Sequence, residues 1–253
     1  MFLKKQLMLK NFKITIEYDG NAYHGWQSQP NGPTIQDEIQ KALMTMTGKK
    51  IALIGSGRTD AGVHAYGQVA NFCCDTVHHS EVFQKGLNSL IPNDIVITEC
   101  SQTPEKFHAR YDASSKTYQY RILNRTIPAA IQRQHAWHII KKLNLDRMRT
   151  ALGTIIGTHD FKAFEGAGSS RANTTRCVMN ADFVEKDDGY LIFEIEGDGF
   201  LRYMVRNIVG TLVDVGLGKT TPSDFNIILE SKDRNLAGVT APAHGLYLMQ
   251  VKY

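Results

Sequence analysis

The chain has 253 residues, 42% of them hydrophobic and 21% charged, with a formal net charge of +4. That is the composition of a folded globular protein long enough for one large domain or two small ones, and it excludes a disordered, collagenous or coiled-coil molecule. The longest apolar stretch, Ile208-Val209-Gly210-Thr211-Leu212-Val213, stops at Asp214, well short of the roughly 20 residues a membrane-spanning helix needs.

Residues 1–10 carry lysines but no long apolar centre and no small-residue cleavage site, so they do not read as a secretory signal and a cytoplasmic chain is expected. From Phe12, apolar Phe12, Ile14, Ile16 and Tyr18 alternate with Lys13, Thr15, Glu17 and Asp19, the period of a strand with one wet face. After a polar stretch punctuated by glycine and proline, Thr34 caps an amphipathic helix carrying Ile35, Ile39, Ala42, Leu43 and Met46, and Gly48 stops it. Short strands are expected over 51–54 and 68–72, a helix over 80–90 and a strand over 95–100.

The second half repeats these ingredients. A strand over 116–123 precedes a helix over 144–157, then a hairpin with arms 177–185 and 190–196 around Asp187-Asp188-Gly189. A helical run over 201–217 follows, then a helix opened by Thr221-Pro222, with proline at its first position, and an alternating strand over 246–253. Two α/β halves of similar size suggest a duplicated unit: an N-terminal domain over 11–105 and a C-terminal domain over 106–253.

Cys73, Cys74, Cys100 and Cys177 show no CxxC spacing and read as reduced core thiols. His78-His79 and His135-x-x-His138 lack partners at metal-ligand spacings, so no metal is expected.

The densest chemical signal is Gly55-Ser56-Gly57-Arg58-Thr59-Asp60-Ala61-Gly62-Val63-His64-Ala65, between two expected strands. It lacks the Lys-Ser/Thr of a P-loop and the third glycine of a dinucleotide fingerprint. It is either a glycine-rich connection or a loop presenting a functional acid. For the second, Asp60 stands two residues after an arginine and four before a histidine, in a backbone whose glycines permit close approach. A carboxylate kept ionised by nearby cations serves as nucleophile or base.

Arg202 and Arg206 stand four apart in the apolar run 201–213, spacing that puts them on one helix face. A buried guanidinium without a partner is costly, so Arg206 calls for a carboxylate, while Arg202 either does the same or reaches the surface. The strand Lys116-Thr117-Tyr118-Gln119-Tyr120-Arg121 puts Tyr118 and Tyr120 on one face. Lys106, Arg110, Lys116, Arg121 and Arg125 outnumber Glu105 and Asp112 around it, an excess that suits a phosphate backbone, and tyrosine faces stack unpaired bases. The hairpin, with Asp182, Glu185, Asp187, Asp188, Glu194, Glu196 and Asp198, would repel nucleic acid. The segment 18–29 reads either as a surface loop with a buried tryptophan or as part of a site. The tract 165–176 has no apolar periodicity and suits a substrate-gripping loop.

Together, Tyr18-Asp19-Gly20 with Gly25-Trp26-Gln27, Gly57-Arg58-Thr59-Asp60-Ala61-Gly62-Val63-His64, Lys116-Thr117-Tyr118-Gln119-Tyr120 and Phe200-Leu201-Arg202-Tyr203-Met204-Val205-Arg206-Asn207 make the chain resemble the bacterial tRNA pseudouridine synthase A family. Of these, the Arg-Thr-Asp-Ala-Gly-Val-His string is the most specific, and residues 1–10, which fall outside the family's usual start, are expected as an unstructured basic tail. The resemblance implies an α+β pseudouridine synthase fold: two ferredoxin-like or RRM-like halves with mainly antiparallel sheets flanking a basic cleft. It implies isomerisation of uridines in the anticodon stem and loop of tRNA by a homodimer, without a metal or nucleotide cofactor. It further implies Asp60 as the catalytic nucleophile, Tyr118 under the target base as the group that removes its C5 proton, and Arg206 paired with Asp60. Arg58 matches an arginine that enters the space left by a flipped nucleotide, and Leu246 an apolar support for the base; Arg202 and His64 are further substrate contacts. Two other readings remain open at this level: an RNA-binding module without chemistry, and a glycosidic hydrolase, although most such hydrolases use paired carboxylates and the key motif holds only Asp60.

Overall fold

The computed structural model describes residues 8–166, 168 and 173–253. Residues 1–7 of the expected tail, and 167 and 169–172 of the expected gripping loop, lie outside the described residues. The chain forms two compact units, one running to Ser114 and including Leu248–Tyr253, the other Ser115–Tyr247.

In the first unit, strand β1 (Met8–Tyr18) begins earlier than its apolar alternation, and Phe12, Ile14, Ile16 and Tyr18 are all buried as that alternation requires. Helix α1 (Ile35–Thr47) is capped as expected: Thr34 accepts from the Asp37 amide and Gly48 ends the helix at φ 68°. The expected strand over 51–54 shrinks to β2 (Ile54–Gly55), and the next expands to β3 (His64–Thr76). Helix α2 (Ser80–Leu90) and β4 (Ile95–Thr103) follow. The order is β4-β1-β3, antiparallel throughout, with β2 also antiparallel to β3. The last strand (Leu246–Lys252) lies beside β3. Phe12 faces Phe72 across the ladder, and Phe83 of α2 closes the cluster with centroids 4.8 and 5.3 Å from those rings. Truncating so enclosed a phenylalanine costs about 3–5 kcal/mol, so this cluster is what clamps α2 to the sheet carrying β3.

The second unit runs β5 (Ser115–Asn124), β6 (Trp137–Ile139), α3 (Leu145–Leu152), β7 (Gly157–Asp160), β8 (Thr175–Glu185), β9 (Tyr190–Gly197), α4 (Met204–Gly216) and α5 (Pro222–Ser231), with the last strand numbered β10. The order β5-β9-β8-β7 is antiparallel, and β6 pairs with β5 in parallel. Between β8 and β9 the turn has Asp188 and Gly189 at φ 62° and 82°, the positive angles that glycine and aspartate best tolerate. Thr221 and Asp224 form a reciprocal capping box on α5 with Pro222 at its start.

Two of the expected helices also need correction. The helix expected over 144–157 ends at Leu152 and tightens into a 3-10 turn, because the chain turns out through Gly157 at φ 101° into β7. The helix expected from 201 begins only at Met204, because Tyr203 adopts a left-handed backbone, φ 62°. Arg202 therefore sits in the preceding turn and does not share a helix face with Arg206. No helix among the described residues is long and apolar enough to cross a membrane.

Candidate active site

Asp60 lies on the connection from β2 to β3, and its surroundings explain the otherwise puzzling segment 18–27. The Tyr18 hydroxyl is 2.8 Å from Thr59 Oγ1 in a buried contact. The Trp26 amide donates to Thr59 O at 3.1 Å, and the Gly62 amide to Tyr23 O at 3.3 Å. The Val63 amide donates to Asp60 O at 3.2 Å, closing a turn with Gly62 at φ 77°. Two glycines are required by contact: a Cβ on Gly25 would lie 2.5 Å from Thr59 O, and one on Gly20 2.0 Å from Val63 O. On the other flank Ser56 donates to buried Gln68 at 2.7 Å, and Gln68 donates to Gly57 O at 3.1 Å.

The loop is thus held from both sides at the residues around the acid, while Asp60 itself is only half-buried. Trp26 is buried, and the cluster expected as either a loop or a site is a brace. Burial pushes the Tyr18 phenol up to about 12, against the lowering effect of its Thr59 and Gln68 hydrogen bonds, so it stays neutral as a strut.

Arg58 is exposed, and its Nε donates to Gln27 at 3.1 Å; Gln27 in turn donates to Gln36 of α1 at 2.9 Å. His64 is buried, with Nδ1 3.1 Å from both the Gly20 amide and Asp19 Oδ1. A bare Nδ1 accepts from Gly20; a protonated one donates to Asp19.

In the second unit Tyr118 and Tyr120 are buried on one face of β5, as their alternation required. Tyr118 meets Phe200 edge-on with centroids 5.2 Å apart. The Tyr120 hydroxyl donates to Pro242 O at 2.8 Å, and burial raises its phenol well above the ordinary value, with Arg206 opposing the rise. Arg206, half-buried on α4, donates through Nε to Ala241 O at 2.7 Å, and Ala241 N returns a bond to Arg206 O. The 241–242 segment is therefore strapped between Tyr120 and Arg206. Gly245 packs so tightly on Tyr120 that a Cβ would lie 2.6 Å from its Cζ, and buried Leu246 follows at the start of β10. Asn207, next to Arg206, donates to Phe164 O and accepts from Arg234 and Thr240.

Each unit thus assembles its own share of the expected residues: Asp60, Arg58 and His64 in the first, and Tyr118, Arg206, Arg202 and Leu246 in the second. Residue-type reasoning gave no role to Gln27, Gln36 or Tyr203, since their partners lie far along the chain or depend on a backbone angle that no spacing reveals.

A rigid loop presenting one reachable carboxylate, and a separate tyrosine and arginine group with aromatic lining, are parts suited to single-carboxylate nucleophilic or base chemistry on a planar ligand. Comparison narrows this. A family model described as tRNA pseudouridine synthase matches residues 14–112 and 151–253, segments that include Asp60 and Arg206 and leave Tyr118 between them. The tRNA pseudouridine synthase A of a Thermoanaerobacter species is 47% identical over 245 residues, 97% of this chain and 100% of the relative. The protein of the same name from Clostridium acetobutylicum is 48% identical over the same shares. The chain belongs to the tRNA pseudouridine synthase family.

Proposed function

We propose that this protein isomerises uridine to pseudouridine in the anticodon stem and loop of tRNA, with Asp60 as nucleophile and no cofactor. The supporting observation is the braced, half-buried Asp60 loop in a chain nearly half identical, end to end, to proteins named tRNA pseudouridine synthase A. The reaction breaks the bond from uracil N1 to ribose C1′ and forms one from C5 to C1′; the C5 proton leaves and N1 gains one. Nothing is oxidised or reduced, so the protein must supply only a group to manage charge at C1′, a base for C5, and a pocket that retains the free uracil.

Asp60 takes the first role, attacking C1′ or assisting loss of a ribose C2′ proton while positive charge develops there. Tyr118 takes the second, and Arg206 is the cation that keeps Asp60 ionised. A base within a stem must leave the stack, which costs a few kcal/mol; Arg58 fills the vacated space, Arg202 contacts phosphate, and His64 and Leu246 shape the pocket around the base. The working form is a homodimer in the cytoplasm, where tRNA is modified. Incubation with tRNA carrying 5-tritiated uridine tests the reading: tritium is released and pseudouridine maps to the anticodon stem and loop. Free uracil as product would point to hydrolysis instead, and a monomeric mass in light scattering would contradict the dimer.

A further inference from the structure

Tyr203 is a non-glycine residue with a left-handed backbone, φ 62° and ψ 1°. Such a conformation persists only where the surroundings over-determine it. Here they do. The Gly166 amide donates to Arg202 O at 2.7 Å, and Gly166 lies so close that a Cβ there would be 2.5 Å from Tyr203 Cδ2. That backbone turn carries the ring to two guanidinium groups: Arg202 Cζ is 4.7 Å and Arg206 Cζ 5.0 Å from its centroid. Arg202 Nη2 also donates to the Tyr203 hydroxyl at 3.1 Å.

An aromatic face attracts a guanidinium through its quadrupole, within about 6 Å, and takes up none of its hydrogen-bond donors. A carboxylate in the same place would hold the arginine more strongly but would neutralise it and compete for its Nη donors. The ring therefore holds charge in place without cancelling it, which is what an arginine serving another group needs. Arg206 is gripped additionally at Nε by Ala241 O, so its long side chain is fixed both at that edge and over the ring.

We propose that Tyr203 is a positioning residue: its ring fixes the guanidinium of Arg206 for use by the catalytic acid, and its ring and hydroxyl together hold Arg202 as a phosphate contact. This rests on the reading of Arg206 given under the proposed function.

Two measurements test it, one independent of activity. In ¹H–¹⁵N spectra, hydrogen exchange at Arg206 Nε should be slow in the wild type and in Tyr203→Phe, and at least about 10-fold faster in Tyr203→Leu. In multiple-turnover tritium release, Tyr203→Leu should lower kcat about 30-fold with little change in KM, whereas Tyr203→Phe should keep kcat within about 3-fold and raise KM for tRNA. Combined with Arg206→Lys, Tyr203→Leu should add less than about 3-fold to the loss, because both act on one group. Should Tyr203→Leu fail to fold, Tyr203→Gln replaces it in the same cycle. Unchanged exchange at Arg206, or losses that multiply in the double variant, would overturn the proposal. Faster exchange in Tyr203→Leu with a wild type that releases no tritium would uphold the positioning and overturn the reading of function.

Discussion

The phenolic oxygen of Tyr18, at the end of β1, lies 2.8 Å from the hydroxyl of Thr59, the residue immediately before Asp60. Both side chains are buried, so neither oxygen has ready recourse to water if the other is removed. Tyr18→Phe leaves Thr59 Oγ1 short of a partner, at about 1–3 kcal/mol. A lower urea midpoint and a several-fold lower rate of tritium release are expected, with tRNA affinity unchanged.

Tyr18 also makes stability depend on pH. Its folded-state value of about 12 exceeds the roughly 10 of a solvated phenol, so folding favours the neutral form. Tyr120 is raised for the same reason, burial. The stabilisation is fully present below about pH 10 and is lost as pH rises through the folded values, at up to about 1.4 kcal/mol per pH unit for each phenol. Burial likewise pushes the Cys74 thiol up to about 11 and that of Cys100 up to about 12, above the roughly 8.5 of a free thiol, so urea midpoints should fall progressively above about pH 8.5, and above about pH 10 less steeply in Tyr18→Phe.

Gly25 has φ +92° and stands against the peptide of the acid loop. Gly25→Ala strains both the backbone and the contact with Thr59 O, at about 2 kcal/mol. A displacement of the reacting group by roughly 1 Å can cost about 100-fold in rate, so activity should fall far more than the melting temperature. Equal, modest losses in both would show that the loop tolerates the shift.

Asn207 is fully buried beside Arg206 and joins Phe164 O, Arg234 and Thr240 through bonds of 2.8, 3.0 and 2.7 Å. Asn207→Ala strands these partners and should cost about 3 kcal/mol. Calorimetry checks this, with Ile227→Ala on the exposed face of α5 as a control expected to change little.

Periodicity located most elements because each buries one face. The helix expected over 80–90 is α2, and Thr34, Gly48 and Thr221-Pro222 mark helix ends through local hydrogen bonds that short-range residue types reveal. Where the deciding interaction is long-range, spacing fell short. Apolar periodicity runs on through residue 203, yet α4 starts after it because Gly166 and two arginines hold Tyr203 left-handed. The three residues of β6 are too few for any period. In the candidate site, Asp60 stood out by residue type, but its support did not: Tyr18 reads as one more core position of β1 until its hydroxyl is seen against Thr59, 41 residues on.

The role of Asp60 is tested most directly by comparing the wild type with Asp60→Ala on tRNA carrying 5-tritiated uridine. The variant should bind tRNA within about 3-fold of the wild-type affinity and release no tritium above background, the pattern left when the group that starts the reaction is removed but binding is not. Tritium release by Asp60→Ala at a rate within about 10-fold of the wild type would contradict the assignment, because a nucleophile's loss cannot be absorbed so cheaply.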